Sequence, residues 1–214
     1  VMGISSFSTS YAQSKILSDV PEGAEAVSLS GKALSMPEAT NETVLENLSE
    51  TKIRYLDYPM DPERAVWYGR RLAYAGKYRD AIKIFSEGML DSPNDARFYR
   101  HRGHRYITIR EFDRAIADLE KAASLIKGKP NRVEEDGAPN EFGIPVSTLH
   151  GNIFYHLGLA YYLKQDFENA KRVYDLDIDV ATNDDNKVSA THWRYMIRRR
   201  MGESHDQAKH VLDV

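Results

Sequence analysis

The sequence predicts an all-α fold, an α-solenoid of stacked antiparallel helix pairs, on three observations. Gly69, Gly103 and Gly158 recur along the chain at an interval of 34 and then of 55. Tyr78, Phe112 and Phe167 keep the same two intervals, and so do Ala81, Ala115 and Ala170. A self-similarity of roughly 20–50 residues is the signature of a repeat array, and the longer interval is the shorter one with a 21-residue insertion.

Composition narrows the function classes. The 214 residues are 42% hydrophobic and 29% charged, ordinary globular material. Cysteine is absent, which removes disulfides, thiolate nucleophiles, Cys-based zinc sites and iron–sulfur clusters. The longest apolar stretch, Ile153 to Leu163, is interrupted by His156. It is half the roughly 20 residues that a spanning helix needs, so no transmembrane span is expected. The net charge of −3 argues against a wholly basic nucleic-acid binder, although residues 63 to 130 carry 15 Lys and Arg against 9 Asp and Glu.

Taken in order, residues 1–12 read as the remnant of a secretory signal peptide. No charge precedes Lys15, and Ser10-Tyr11-Ala12 before Gln13 fits an A-x-A-like cleavage pattern. Export to the periplasm or envelope is the expectation, with a cytoplasmic chain as the alternative. Residues 13–61 form a leader: 13–35, with Pro21, Gly23 and Gly31, read as extended, and Val44, Leu45 and Leu48 mark a short helix from Pro37 to about Glu50. Residues 62–214 form the repeat domain, in units of about 62–95, 96–127, 150–183 and 187–214. The helices are expected at 62–75, 79–91, 96–109, 113–126, 150–163, 168–180, 187–201 and 205–213, and no strand pattern competes with them. Between the second and third units, 128–149 contain Pro130, Gly137, Pro139, Gly143 and Pro145 and must form an inserted loop. Its Glu134-Glu135-Asp136 run reads as a solvated turn; the alternative is a loop folded over the basic second unit until a partner displaces it.

The physics of the small residues stands alone. Helices in a pair approach to about 8–10 Å only where the crossing side chains are short. Each pair buries little by itself, so stacking supplies a continuous core and the degenerate terminal unit frays first. Gly158→Leu should then lower the melting temperature.

At these residues the chain resembles the tetratricopeptide repeat family. The first unit carries Tyr68-Gly69, Gly76, Tyr78, Ala81, Phe85 and Pro93, and the second Tyr99, Gly103, Tyr106, Phe112, Ala115, Leu119 and Ala122. The third carries Phe154, Leu157-Gly158, Tyr161, Phe167, Ala170 and Tyr174. In the fourth, which is degenerate, Ala208 takes the place that Ala170 holds in the third, and Met196 stands where the others have Gly. The resemblance implies a right-handed superhelix whose first helices line a concave groove that takes partner peptides. Helical spacing maps that face to Glu63, Val66, Arg70, Ala73 and Tyr74, then Arg97, Arg100, His104 and Ile107, then Asn152, Tyr155, Leu159 and Tyr162. The partner-binding candidates are Arg70, Tyr74, Arg97, Arg100, His104, Tyr155 and Tyr162, a basic then aromatic groove suited to an acidic, partly apolar peptide. Arg100→Glu should weaken such binding without unfolding the chain. The family's dicarboxylate clamp uses Lys and Asn, and Arg70, Arg100 and His104 stand here instead, so a chaperone co-factor role is not expected.

Other chemistry is poorly supported by the residues. His101 and His104 share a helix face, but interleaved Arg100, Arg102 and Arg105 oppose a divalent cation, and no metal site is expected. Asp175, Asp177 and Asp179 mimic the start of a calcium loop, yet Val180 and Asn186 occupy the positions that need Gly and Glu. Arg198-Arg199-Arg200 beside Trp193 and Tyr195 raises weak nucleic-acid binding as an alternative, opposed by the acidic flanks. No G-x-S-x-G, H-E-x-x-H or G-x-x-x-x-G-K-[ST] arrangement occurs. The reading is a non-enzymatic protein-interaction scaffold without cofactor; a repeat region whose C-terminal continuation carries an enzymatic domain is the other alternative.

Overall fold

The computed structural model describes residues 20–28, 30–135 and 147–212. The signal-peptide expectation for 1–12 lies outside the described residues, as does the 136–146 part of the insert. A helix α1 (Glu42–Asp57) is followed by four helix pairs: α2 (Pro62–Tyr74) with α3 (Tyr78–Asp91), α4 (Ala96–Thr108) with α5 (Phe112–Ile126), α6 (Leu149–Leu163) with α7 (Phe167–Asp179), and α8 (Asp184–Arg200) with α9 (His205–Ala208) and a 3₁₀ turn (Lys209–Leu212).

Local chemistry sets these bounds. Asp61, Asp95 and Thr148 cap α2, α4 and α6 by accepting backbone N–H groups of Glu63, Arg97 and Gly151 at 2.9, 3.0 and 3.2 Å. Each pair then closes through the same turn. Lys77, Glu111 and Asp166 donate their N–H to the carbonyls of Leu72, Tyr106 and Tyr161 at 2.9, 2.8 and 3.0 Å, the 6→1 bond of a Schellman motif. The turn needs one left-handed residue, supplied by Gly76 (φ 77°), Arg110 (φ 68°) and Gln165 (φ 62°), which keep the two intervals of the repeat. Only the first is a glycine, so the other two hold a backbone conformation that costs a side-chain-bearing residue about 1–2 kcal/mol.

The repeat glycines sit at the crossings. A Cβ on Gly69 would stand 2.4 Å from the Phe85 ring, one on Gly103 2.7 Å from Leu119, and one on Gly158 2.6 Å from Tyr174. The partner holds the same place on the second helix of each pair, so one crossing is built three times. Gly88 makes an equally close crossing between units, where a Cβ would meet the Phe98 ring at 2.3 Å. Among the described residues, Tyr174, Phe85, Phe98, Leu119, Ile153, Ile197 and Val173 are the largest fully buried side chains, and they fall into three clusters spaced along the array.

First helices α2, α4, α6 and α8 touch one another across units, whereas α3, α5 and α7 touch only first helices. The first helices therefore lie on the inside of the curve. Trp193, partly buried, packs against the core, stacked on Tyr174 with ring centroids 6.0 Å apart. The arginine run is tied to its own turn: Arg198 pairs with Glu203 at 2.7 Å, Arg199 donates to the Glu203 carbonyl at 2.7 Å, and Arg200 lies over Phe167.

Three expectations need correction. The leader is not merely extended: strands β1 (Ala26–Val27) and β2 (Ala33–Leu34) form an antiparallel hairpin, with Ala26 and Leu34 packed on the core. Glu25 beside it accepts the Arg79 N–H at 2.9 Å, capping α3, whose own N-terminal residue Lys77 supplies no side-chain cap. Second, α1 starts at Glu42, because Asn41 caps Val44 N–H at 3.2 Å, and it runs on to Asp57. Third, α8 starts at Asp184 rather than Lys187, capped by Asn183 onto Asn186.

Asp177 is the one discordant residue of the inter-unit crossing. It holds the place that Gly88 and Ala122 hold in the preceding units, and burial pushes its carboxyl up to about 7. A carboxyl with a raised folded pKa favours folding below its unfolded pKa and loses that contribution as pH rises toward 7. Asp177→Ala should therefore raise the melting temperature by several degrees at pH 8 and by much less at pH 4.5, read by circular dichroism; an equal shift at both would show the carboxyl to be ionised and satisfied in the native chain.

Candidate functional site

The concave surface carries the titratable groups least expected inside a repeat array. On α2, Arg70 lies 4.1 Å from the Trp67 ring centroid and donates to the Glu135 carbonyl at 2.6 Å and the Tyr74 hydroxyl at 3.4 Å. Tyr74 itself is 43% exposed. On α4, Arg100 is 8% exposed and has turned inward onto the insert, its Nε 3.3 Å from Glu134 Oε2. His101 Nε2 stands 3.1 Å from Glu134 Oε1, and Asn152 Nδ2 of α6 donates to Oε2 at 2.6 Å. Glu134 is thus no part of a solvated turn, because its three partners come from two first helices. Burial works to raise its carboxyl, yet Arg100, then His101 and Asn152, hold it well below the usual carboxylate range.

The histidines are neutral in this setting. Arg100 can only donate, so its 2.7 Å contact with His101 Nδ1 makes that nitrogen the acceptor and places the proton on Nε2, facing Glu134. Burial, then Arg100, brings His101 down to about 3. His104 and His156 face each other at 3.9 Å between ring centroids. His156 Nδ1 is 2.6 Å from the Asn152 carbonyl, and burial followed by Arg100 brings it to about 3. Burial, then His156, lowers His104 in the same sense. Arg105 behind them is lowered to about 10 by burial and by Arg100.

The seven candidates are divided by the fold. Arg70, Tyr74, Arg100 and His104 line one chamber of about 210 Å³. Arg97 lines a neighbouring chamber of about 840 Å³, where it pairs bidentately with Asp95 and also with Glu63, tying α2 to α4. Tyr155 and Tyr162 are half-buried away from both: Tyr155 packs edge-on to His156 and Tyr174, Tyr162 edge-on to Phe167 and Trp193. His101, Arg105 and His156 join the site without having been expected there, and Glu134 joins it in the sense of the alternative, a loop folded over the basic second unit. His101 and His156 had a signal. They complete the i, i+3, i+4, i+7 rows Arg97, Arg100, His101, His104 and Asn152, Tyr155, His156, Leu159.

An array of helix pairs curved around first helices that carry a charged trough is a right-handed α-solenoid. Within that class, the repeat interval of 34, the small-residue crossing and the shared turn make this the tetratricopeptide repeat fold. Solved structures agree. The MamA protein of Desulfovibrio magneticus RS-1 (41-end) is similar with a TM-score of 0.60 at 19% identity, over 80% of this chain and 82% of that one. The first tetratricopeptide domain of human RPAP3 gives 0.52 at 18% identity, over 71% and 98%. The first such domain of Spaghetti (RPAP3), bound to the HSP90 peptide SRMEEVD, gives 0.50 at 18% identity, over 74% and 95%. No family model and no curated protein matches the chain. Among the described residues, no helix is long and apolar enough to cross a membrane.

Proposed function

We propose that the chain is a non-enzymatic scaffold that holds an acidic peptide or partner segment in its concave groove. One observation carries the reading: Arg70, Arg100 and Arg105 line the groove against a single buried carboxylate, that of Glu134, so the surface holds a positive excess aimed inward. Charge-assisted bonds to carboxylates are the strong ones, and arginine presents its donors as a fork that suits them. The neighbour Spaghetti binds SRMEEVD, a peptide with three acidic residues, on the same fold. His104 lines the same chamber, Arg97 carries the groove on into the neighbouring one, and Tyr155 and Tyr162, packed away from both, act behind it as support.

Arg100→Glu is a poor test of this reading. It would bury a second carboxylate against Glu134, where an unpaired buried charge costs about 3–5 kcal/mol, so the chain would lose stability along with any partner. Arg70 and Tyr74 are the better handles, since both reach solvent. The immobilised protein should capture a partner from the extract of its source cells that Arg70→Glu, Tyr74→Ala loses at least tenfold, with the melting temperature unchanged. Equal capture by the two proteins would place the contact outside the groove.

A further inference from the structure

The two concave chambers share four lining residues: Arg70, His101, Glu134 and Glu135. The acidic pair of the insert is thus the bar that divides one trough into two. Its members are used differently. Glu135 is exposed and gives its backbone carbonyl to Arg70, whereas the Glu134 carboxylate is lodged among three polar groups of the array itself. Asn152 Nδ2 of α6 donates to it at 2.6 Å, and Arg100 Nε and His101 Nε2 of α4 stand 3.3 and 3.1 Å from its oxygens as electrostatic contacts that leave Arg100 Nε and Glu134 Oε1 without an aligned hydrogen bond. The His101 proton is fixed on the nitrogen that faces the carboxylate by the Arg100 contact on the other side of the ring. Such a cradle is preset for any carboxylate, and the remaining charge of Arg70 and Arg105 exceeds what one glutamate neutralises.

We propose that Glu134 is an internal stand-in for a partner's acidic side chain: Arg100, His101 and Asn152 form a carboxylate subsite, and an Asp or Glu of an acidic peptide takes it by displacing Glu134. The inference rests on the groove reading above and names the chemistry of its occupant. Among the described residues, displacement breaks two further bonds beyond the cradle. Glu134 N–H leaves the Ser147 carbonyl (3.1 Å) and Arg70 leaves the Glu135 carbonyl, while the bond from Leu149 N–H to the Arg132 carbonyl (2.9 Å) keeps the base of the insert in place. With the bar lifted, the chambers of about 840 and 210 Å³ become one continuous trough. A site that is open for only a fraction of the time binds its ligand more weakly by that fraction, so removing the stand-in strengthens binding.

The probe is fluorescein-labelled hexaglutamate, read by anisotropy at low salt, with labelled hexaglutamine as control. Glu134→Ala is expected to bind hexaglutamate at least tenfold more tightly than the unaltered chain, and hexaglutamine not at all; Arg100→Met in the same background removes the gain. Equal binding by both proteins, lost on Arg70→Glu, Tyr74→Ala, overturns the role of Glu134 and leaves the groove reading standing. Binding by both that ignores Arg70→Glu, Tyr74→Ala, or no binding by either, overturns the groove reading and the subsite with it. Should Glu134→Ala fold poorly, its melting temperature is the second readout. That variant strips Arg100 of its counter-charge, so acetate or hexaglutamate raises its melting temperature by more than that of the unaltered chain. An equal rise in the two proteins overturns the subsite.

Discussion

Gly158→Leu should lower the melting temperature by about 6–12 °C, as the crossing of α6 on α7 leaves no room for a side chain. A Cβ there would lie 2.6 and 2.9 Å from carbons of the Tyr174 ring. The ring has nowhere to go. It is fully buried, stacked on Trp193, edge-on to Tyr155, and its hydroxyl donates to the Tyr155 carbonyl at 3.3 Å. Overpacking of this kind costs about 1–3 kcal/mol even for extra methylenes. A loss of about 3 kcal/mol in a chain of this size shifts the transition by about 2–4 °C per kcal/mol. In a repeat array the damage also reaches the interface with the next unit, so α8 and α9 should detach first. Thermal melting followed by circular dichroism is the check. An unchanged midpoint would mean that α6 and α7 do not cross at Gly158.

The second large effect is acid sensitivity beginning well above the carboxylate range. His101 and His156 are brought to about 3, and His104 is lowered with them, so all three stay neutral in the folded chain while an unfolded histidine takes up a proton near pH 6.5. A histidine with a depressed folded pKa contributes stability above its unfolded pKa, and that contribution is lost as pH falls. Each ring removes up to about 1.4 kcal/mol per pH unit below 6.5, until its folded pKa is reached. Glu134, also depressed, adds its loss at lower pH, below the unfolded carboxylate value. Asp177, gaining as pH falls from about 7, and Asp118, raised by burial, work the other way, two groups against the three rings of the groove and His150, which burial also lowers. Of the charges facing the rings, Arg70, Arg100 and Arg105 oppose protonation further, whereas the Glu134 carboxylate favours it at His101 and His156 without overcoming burial. The melting temperature should therefore fall steeply between pH 6.5 and 4.5. A flat profile over that range would show the rings to be protonated or solvated in the native chain.

What the sequence disclosed and what it hid follow from the range of the interactions. The three glycines, their aromatic partners and the buried alanines recur at fixed intervals because every unit solves the same local crossing. The six helices from α2 to α7 consequently begin and end within one residue of where periodicity puts them. A further signal went unused: Gly88, Ala122 and Asp177 keep the two intervals too, and mark the crossing between units. The hairpin of the leader was hidden because strands of two residues show no alternation. Glu134 was legible only as the lesser of two alternatives, for a different reason. An acidic residue flanked by prolines and glycines looks solvated, and nothing local reveals a cradle formed by Arg100 and His101 of the unit before it and Asn152 of the unit after it. His156, set in an apolar run, reads as an interruption until His104 is seen facing it. Long-range polar contacts inside the groove are the part that periodicity could not supply.

The neck of the insert has a consequence for how such a chain can change over generations. Glu134 N–H to Ser147 and Leu149 N–H to Arg132 fasten its two ends at one corner of the array, beside the start of α6. The stacking of α5 on α6 is thus insulated from whatever length or composition the intervening residues have, and doubling that length would cost only about 0.6 kcal/mol in closure entropy. The superhelix can in this way serve as a fixed chassis for an exchangeable cassette, its stacking unchanged by what lies between the two fastened ends.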